Sequence, residues 1–305
     1  MTRETWPNFF IVGAARAGTT SLYSYLSKVP GVYVSPVKEP HFFTSRVGPH
    51  SKHFLYLPEK ERYLKLFSKA DKEMAIGEAS TSYLYDEKAA SRIQELIPHA
   101  KIIIMLRDPI TRAFSQYLMD IRYGMESHTS FYEAIIDDWN QSNKGWWFTH
   151  LYVELGQYFE QVQRYITAFG IKQLKIVIFE DFVRNTKLEV DSIIKFLGLE
   201  QEILEDAVKV SYNSFYSSRY SVPRHKYSWK LMEDIGKIRN KNLIIYNISK
   251  VVPVSVQERI ADMLFTKNSP RPELTVEAKA FLHHIYDEDA KNLEKLLNRS
   301  IPWMN

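Results

Sequence analysis

The stretch Phe9–Leu26, FFIVGAARAGTTSLYSYL, constrains the fold more than any other part of the chain. Phe9–Val12 is a continuous apolar run, as in strands buried on both faces. A turn of mostly small residues follows, Gly13-Ala14-Ala15-Arg16-Ala17-Gly18. The hydroxyl run Thr19-Thr20-Ser21 then opens a helical pattern, with Thr19 or Thr20 as its cap, that reaches about Ser27 before Pro30-Gly31. Backbone N–H groups at such a strand-to-helix turn converge on one spot, and the helix dipole adds positive potential there. The spacing of Gly13 and Gly18 matches the opening of G-x-x-x-x-G-K-[ST]. Yet Thr19 stands where the lysine belongs, and Arg16 is the only cation in the turn. A phosphate compound is expected, held differently from a nucleoside triphosphate. No Asp ends a strand as a Walker-type Mg²⁺ site requires, so no metal is expected.

The same alternation continues. Val32–Val34, Met74–Gly77, Lys101–Leu106 and Leu174–Phe179 read as further strands. Glu87–Ile97, Pro109–Tyr123, Phe131–Trp139, Tyr152–Phe169 and Thr186–Leu197 read as helices. Apolar strands alternating with helices predict an α/β fold, a P-loop-like central parallel sheet flanked by helices. One domain over residues 1–305 is expected, with a core at about 7–200 and a basic, helical region at about 211–305, helical from about Ser255 to Leu297. The chain has 305 residues, 45% of them hydrophobic, enough for a sizeable core. It has no cysteine, which excludes disulfides and thiolate chemistry. A net charge of +4 suits an anionic ligand and is too weak to indicate nucleic acid. The N-terminus leads directly into the first strand, and no apolar run approaches the roughly 18 residues that span a bilayer, so a cytoplasmic location is expected.

A second constellation lies in IIIMLRDPITRAFSQYL, Ile102–Leu118. Arg107 sits at the C-terminal end of a buried strand, where ligands of open α/β sheets bind. Ser115 lies about two turns into the next helix, with Arg112 between. A guanidinium and a hydroxyl there can hold a second phosphate; the alternative is that Arg107 pairs with Asp108 or another carboxylate.

With both constellations in this order, the chain resembles the sulfotransferases that use 3′-phosphoadenosine 5′-phosphosulfate (PAPS). LKIVIFEDFVRNTKLEVDSIIKFLGL, Leu174–Leu199, and DEDAKNLEKLLNRSIPW, Asp287–Trp303, are similar to later segments of that family. The resemblance implies that Gly13, Ala14, Ala15, Arg16, Ala17, Gly18, Thr19, Thr20 and Ser21 hold the 5′-phosphosulfate. It also implies that Arg107 and Ser115 hold the 3′-phosphate, and that a loop near Tyr212–Tyr227 closes over the donor, with Arg219 a further 3′-phosphate contact. No metal is obligatory in the family. Arg16 stands where many members have a lysine that contacts the bridging oxygen. An arginine stays protonated, so Arg16 is assigned electrostatic stabilisation of the leaving group.

The acceptor hydroxyl needs a base. SPVKEPHFF, Ser35–Phe43, is similar to the Glu-x-His-Phe-Phe segment of the glycan-modifying branch. That similarity makes Glu39 the expected base and His41 a helper positioning Glu39 or the acceptor, with Pro40 favouring an extended Glu39. Glu78, in GEASTSYL, is the second candidate base. Lys38 is a candidate contact to an anionic acceptor or to the moving sulfuryl group. Trp139, Trp146, Trp147 and Phe148 are candidates for stacking on a sugar. The expected acceptor is a glycan or glycolipid hydroxyl; a small secondary metabolite or carrier-bound hydroxyl is the alternative. Trp229–Val252 as an amphipathic helix would suit peripheral contact with anionic lipid. Three rivals remain at this stage. A Mg²⁺-dependent kinase is disfavoured by the missing lysine, a nucleic-acid binder by the modest charge, and a non-catalytic binding module by the intact Glu39, His41, Arg107 and Ser115.

Overall fold

The computed structural model describes residues 4–45, 47–48, 56–200, 203, 221–223, 266–268 and 271–303. Five strands form one parallel sheet in the order β2-β3-β1-β4-β5: β1 Phe9–Gly13, β2 Val32–Val34, β3 Ala75–Ala79, β4 Lys101–Leu106 and β5 Leu174–Ile178. The centre of the sheet is apolar on both faces, which is why Phe9–Val12 and Ile102–Leu106 read as unbroken hydrophobic runs and are buried throughout. Helices supply the cover. Helix α1 (Thr19–Leu26) packs on α9 (Thr186–Leu197), while α7 (Tyr158–Phe169) packs on α4 (Ala89–Leu96) and on the C-terminal helix Val276–Leu297. A second apolar cluster joins α5 (Pro109–Arg122), α6 (Phe131–Asn140) and the C-terminal helix through Tyr117, Phe131, Tyr152, Leu282 and Tyr286. Short helices α2 (Lys60–Leu64), α3 (Ser82–Tyr85) and α8 (Phe179–Arg184) complete the described set.

The strand order decides where a ligand belongs. From β1 the chain departs toward β2, and from the adjacent β4 it departs toward β5. The two loops separate and leave a crevice at the carboxyl ends of β1 and β4, the switch-point position of open α/β sheets.

Several expectations are corrected. Neither Thr19 nor Thr20 caps α1. The cap is Gly18, in the left-handed region at φ 88°, with no side-chain hydrogen bond. A Cβ at Gly18 would lie 2.8 Å from the Phe179 ring, so the close approach also requires glycine. The third strand runs over Ala75–Ala79 and takes Glu78 into the sheet. Helix α7 begins at Tyr158, because a 3₁₀ turn at Glu154–Gly156 precedes it. Within the stretch expected to be helical from Ser255 to Leu297, Thr266–Asn268 is a strand, β7, paired antiparallel to β6, Ser221–Pro223. Arg219 and Trp229–Val252, together with most of the basic stretch, lie outside the described residues.

Candidate active site

Three consecutive strand ends build the site. At β1, the turn Gly13–Gly18 crosses to its neighbour: Ala14 N–H donates to Met105 O at 2.6 Å, and Ala17 N–H donates to Ala14 O at 3.2 Å. These two amides are thus engaged within the protein. The first N–H groups of α1, on Thr19 and Thr20, have no intrahelical acceptor by helix geometry, and the glycine cap offers them no side-chain acceptor. Ala14 and Ala17 are buried, Ala15 and Ser21 half-buried and Thr20 exposed, so the loop presents little bulk to a ligand.

At β4, Asp108 caps α5, accepting from Ile110 N–H at 2.9 Å and Thr111 N–H at 3.4 Å, with Pro109 at the first helical position. Arg107 points back to the first loop instead of pairing with Asp108. It donates to Arg16 O at 3.1 Å and to Thr111 Oγ1 at 3.2 Å, and its guanidinium lies over the Phe179 ring at 4.7 Å. Arg16 Nε and Nη2 donate to Ser115 Oγ at 3.3 and 3.2 Å, and Nη1 contacts Met119 Sδ at 3.3 Å. Arg16, Arg107 and Ser115, separated by up to 99 residues in sequence, therefore meet. Burial, with Arg107 beside it, lowers the Arg16 pKa to about 10, which still leaves it cationic at neutral pH. Arg112 does not join them. It is fully buried and bonds Gln116 Oε1 at 2.8 Å and Tyr152 O at 2.5 Å.

At β3 the carboxylates divide. Glu39 N–H donates to Ala79 O at 2.8 Å, docking the Lys38–His41 segment on the strand end. The Glu39 carboxylate accepts from Thr81 N–H at 2.7 Å and from Thr81 Oγ1 at 3.2 Å, and it pairs with Lys38 Nζ. Burial pushes its pKa up, but Lys38, His41 and the Thr81 N–H outweigh that and hold it below the ordinary value. Its side chain keeps 27% exposure. Contrary to the extended conformation expected before Pro40, Glu39 has φ 60° and His41 φ 56°. Glu39 is held there by its bonds to Ala79 and Thr81, and His41 by its N–H, which donates to Ser80 Oγ at 3.1 Å.

His41 is 3% exposed, with Nε2 3.6 Å from Glu39 Oε2 and Nδ1 2.6 Å from Ser82 Oγ. Burial lowers its pKa to about 4, so the ring is neutral at pH 7. Glu78 is 1% exposed. Its Oε1 accepts from Tyr83 OH at 2.7 Å and Tyr63 OH at 3.1 Å, and its Oε2 from Ser80 Oγ at 2.8 Å. Burial raises its pKa to about 7. Glu78 is enclosed by hydroxyls, whereas Glu39 remains partly exposed.

Trp147 meets His41 edge-on at 4.7 Å between ring centroids, with Trp146 at 5.8 Å. The segment carrying them is anchored by His150, whose Nδ1 lies 2.9 Å from Asp120 Oδ2 and whose N–H donates to Asp138 Oδ1 at 2.8 Å. Trp139 lies apart, with Lys144 Nζ 4.2 Å from its ring. The sequence reading missed Thr81, Ser82 and Thr44. The only signal for Thr81 and Ser82 was the hydroxyl run Ser80-Thr81-Ser82, which begins two residues after Glu78, and Thr44 had none.

A model of the sulfotransferase family matches residues 7–203, which takes in all three strand ends. The chain belongs to that family. Carbohydrate sulfotransferase 15 of Mus musculus is 26% identical over 253 residues, covering 63% of this chain and 44% of its own length. The bifunctional heparan sulfate N-deacetylase/N-sulfotransferase 4 of Mus musculus is 26% identical over 313 residues, 96% of this chain and 30% of that protein. The membrane-associated sulfotransferase kil1 of Dictyostelium discoideum is 34% identical over 121 residues, 38% of this chain and 24% of that protein. This sulfotransferase-family chain thus spans less than half the length of these curated relatives. A crystal structure of a sulfotransferase from Alicyclobacillus acidocaldarius superimposes with a TM-score of 0.71 at 27% identity, over 99% of this chain and 100% of that one.

Proposed function

We propose that the chain transfers a sulfuryl group from PAPS to a hydroxyl of a glycan or glycolipid, with Glu39 as the general base. The observation that carries this reading is the order of groups along the sheet edge: Glu39 at β3, the small-residue loop at β1, and Arg107 with Ser115 at β4. The outer two strands lie two spacings apart, about 10 Å. A donor with a phosphosulfate at one end and a phosphate at the other fits that arrangement, its 3′-phosphate against Arg107 and Ser115 and its 5′ end over the loop.

In the proposed reaction the acceptor oxygen attacks sulfur in line with the bond to the bridging oxygen. The S–O bond breaks, adenosine 3′,5′-bisphosphate leaves with the electron pair, and the acceptor proton passes to Glu39. Arg16 and the first amides of α1 hold the charge that develops on the leaving phosphate, which requires the Arg16 side chain to turn from Ser115 toward the 5′ end. Lys38, already on Glu39, is placed to turn to the anionic sulfuryl group; losing that cation would raise the basicity of Glu39 when it must accept a proton. Trp146 and Trp147, beside His41, offer indole faces suited to a sugar ring.

Calorimetric titration in metal-free buffer tests the donor assignment. Adenosine 3′,5′-bisphosphate is expected to bind in clear preference to adenosine 5′-phosphate. Binding of ATP–Mg²⁺ alone would overturn the reading in favour of a kinase.

A further inference from the structure

Behind Glu39 runs a line of buried polar side chains to which the proposed reaction gives no task. His41, Ser82 and Thr44 are 3%, 0% and 2% exposed. Ser82 Oγ lies 2.6 Å from His41 Nδ1 and 2.6 Å from Thr44 Oγ1. Across the ring, His41 Nε2 faces Glu39 Oε2 at 3.6 Å. That separation is long for a hydrogen bond, as catalytic contacts often are before substrate binds.

Three proton arrangements are possible along this line, but the one in which Ser82 Oγ accepts from both Nδ1–H and Thr44 leaves the buried Ser82 proton with no acceptor among the described residues and is disfavoured, so two remain. In one, Thr44 donates to Ser82, Ser82 donates to Nδ1, and the ring carries its proton on Nε2, toward the carboxylate. In the other every donor reverses: Nδ1–H donates to Ser82, Ser82 donates to Thr44, and Nε2 turns a lone pair toward Glu39. The second arrangement sets a lone pair against a negative charge. It also leaves the Thr44 hydroxyl proton with no acceptor among the described residues, in a place where a buried unsatisfied donor is strongly disfavoured. Both ends of the line select the first.

We infer that Ser82, oriented by Thr44, locks His41 in its Nε2–H tautomer, so that a neutral, non-rotating donor faces Glu39. Ser82 and Thr44 are thus positioning residues, acting on the base through His41. The consequence for catalysis rests on Glu39 being that base; the tautomer does not. A donor fixed in place holds the carboxylate plane while the acceptor proton arrives, and His41 itself neither gains nor loses a proton. The low basicity of the buried ring agrees with this neutral role.

Nitrogen-15 NMR of the full chain, labelled at histidine, reads the tautomer directly. At neutral pH the His41 ring is expected to show a protonated Nε2 and a bare Nδ1. Glu39→Gln removes the negative charge that also favours this form, so persistence of the Nε2–H signature in that variant is expected if the Thr44–Ser82 line sets it. Adding Thr44→Val to Glu39→Gln keeps the shape, removes the donor behind Ser82, and should give a mixture of tautomers. An Nδ1–H ring in the unmodified protein would overturn the inference. So would loss of the signature in Glu39→Gln alone, or its survival in the double variant. Turnover of Glu39→Gln decides the base assignment separately, so the two ideas fail on different measurements.

Discussion

Replacing Glu78 by glutamine should stabilise the protein at alkaline pH, and the structure gives the size of the effect. Both tyrosine hydroxyls reach Oε1 and Ser80 reaches Oε2. Glutamine can therefore keep its oxygen under Tyr63 and Tyr83 and donate from its amide nitrogen to Ser80 Oγ, so that one donor, the Ser80 hydroxyl, loses its acceptor. Burial raises the Glu78 pKa from its ordinary 4.5 to about 7. The folded state then holds a proton that the unfolded chain has released between those limits. Its contribution is fully present below pH 4.5 and is lost as pH rises through 7, at about 1.4 kcal/mol per pH unit. Across the window the loss is about 3 kcal/mol.

His41 slopes the other way. Its pKa falls from 6.5 to about 4, so its contribution is lost as pH drops across that range. The two slopes oppose each other in the unmodified protein between about pH 4.5 and 6.5, and the difference between variant and parent isolates Glu78. Urea unfolding of both proteins at pH 4.5 and pH 8 should show the stability of the variant relative to the parent rising by about 3 kcal/mol between the two pH values. A relative stability that does not move with pH would refute the argument, because it would mean Glu78 is ionised in the fold at no penalty. Collapse of sulfuryl transfer in a well-folded Glu78→Gln protein would return the base role to Glu78.

Three further outcomes follow from the site. Glu39→Gln should bind adenosine 3′,5′-bisphosphate as the parent does and lose roughly 100- to 10,000-fold in sulfuryl transfer, the range for a positioned base; near-normal turnover would sink Glu39. Arg107→Ala should weaken the bisphosphate by roughly 10- to 100-fold through loss of a charge-assisted hydrogen bond, and adenosine 5′-phosphate far less; equal weakening of both in calorimetry would show that Arg107 does not read the 3′-phosphate. Gly18→Ala puts a Cβ 2.8 Å from Phe179, under the Arg107 guanidinium, at φ 88°. It should destabilise the fold by at least ~1 kcal/mol and reduce bisphosphate affinity, and a thermal melt and titration matching the parent would count against that packing.

Much of the frame was legible because its signals are local. Phe9–Val12 and Lys101–Leu106 announce strands covered on both faces, and Thr186–Leu197 has a clear apolar stripe and a terminal Gly198 in the left-handed region. The elements that went astray depend on partners far along the chain. The expected strand stopped at Gly77, before Glu78, yet Tyr63, Tyr83 and Ser80 satisfy that carboxyl group inside β3. The start of α7 moved because the turn at Gly156 packs against Tyr286 and Pro109. In the site, the loop and Arg107 were visible as motifs. The contact of Arg16 with Ser115 was not, since it spans 99 residues, and Thr81, Ser82 and Thr44 matter only through what they hold in place.

The left-handed backbone at Arg16, Glu39 and His41 bears on any attempt to improve this protein by selection. Glycine adopts that conformation without the steric penalty, of order 1–2 kcal/mol, that an L side chain meets. A library screened only for heat resistance would offer a backbone advantage to variants that discard a side chain on which the proposed chemistry depends. Robustness and activity therefore pull apart at these positions, and a useful screen must score sulfuryl transfer and melting together.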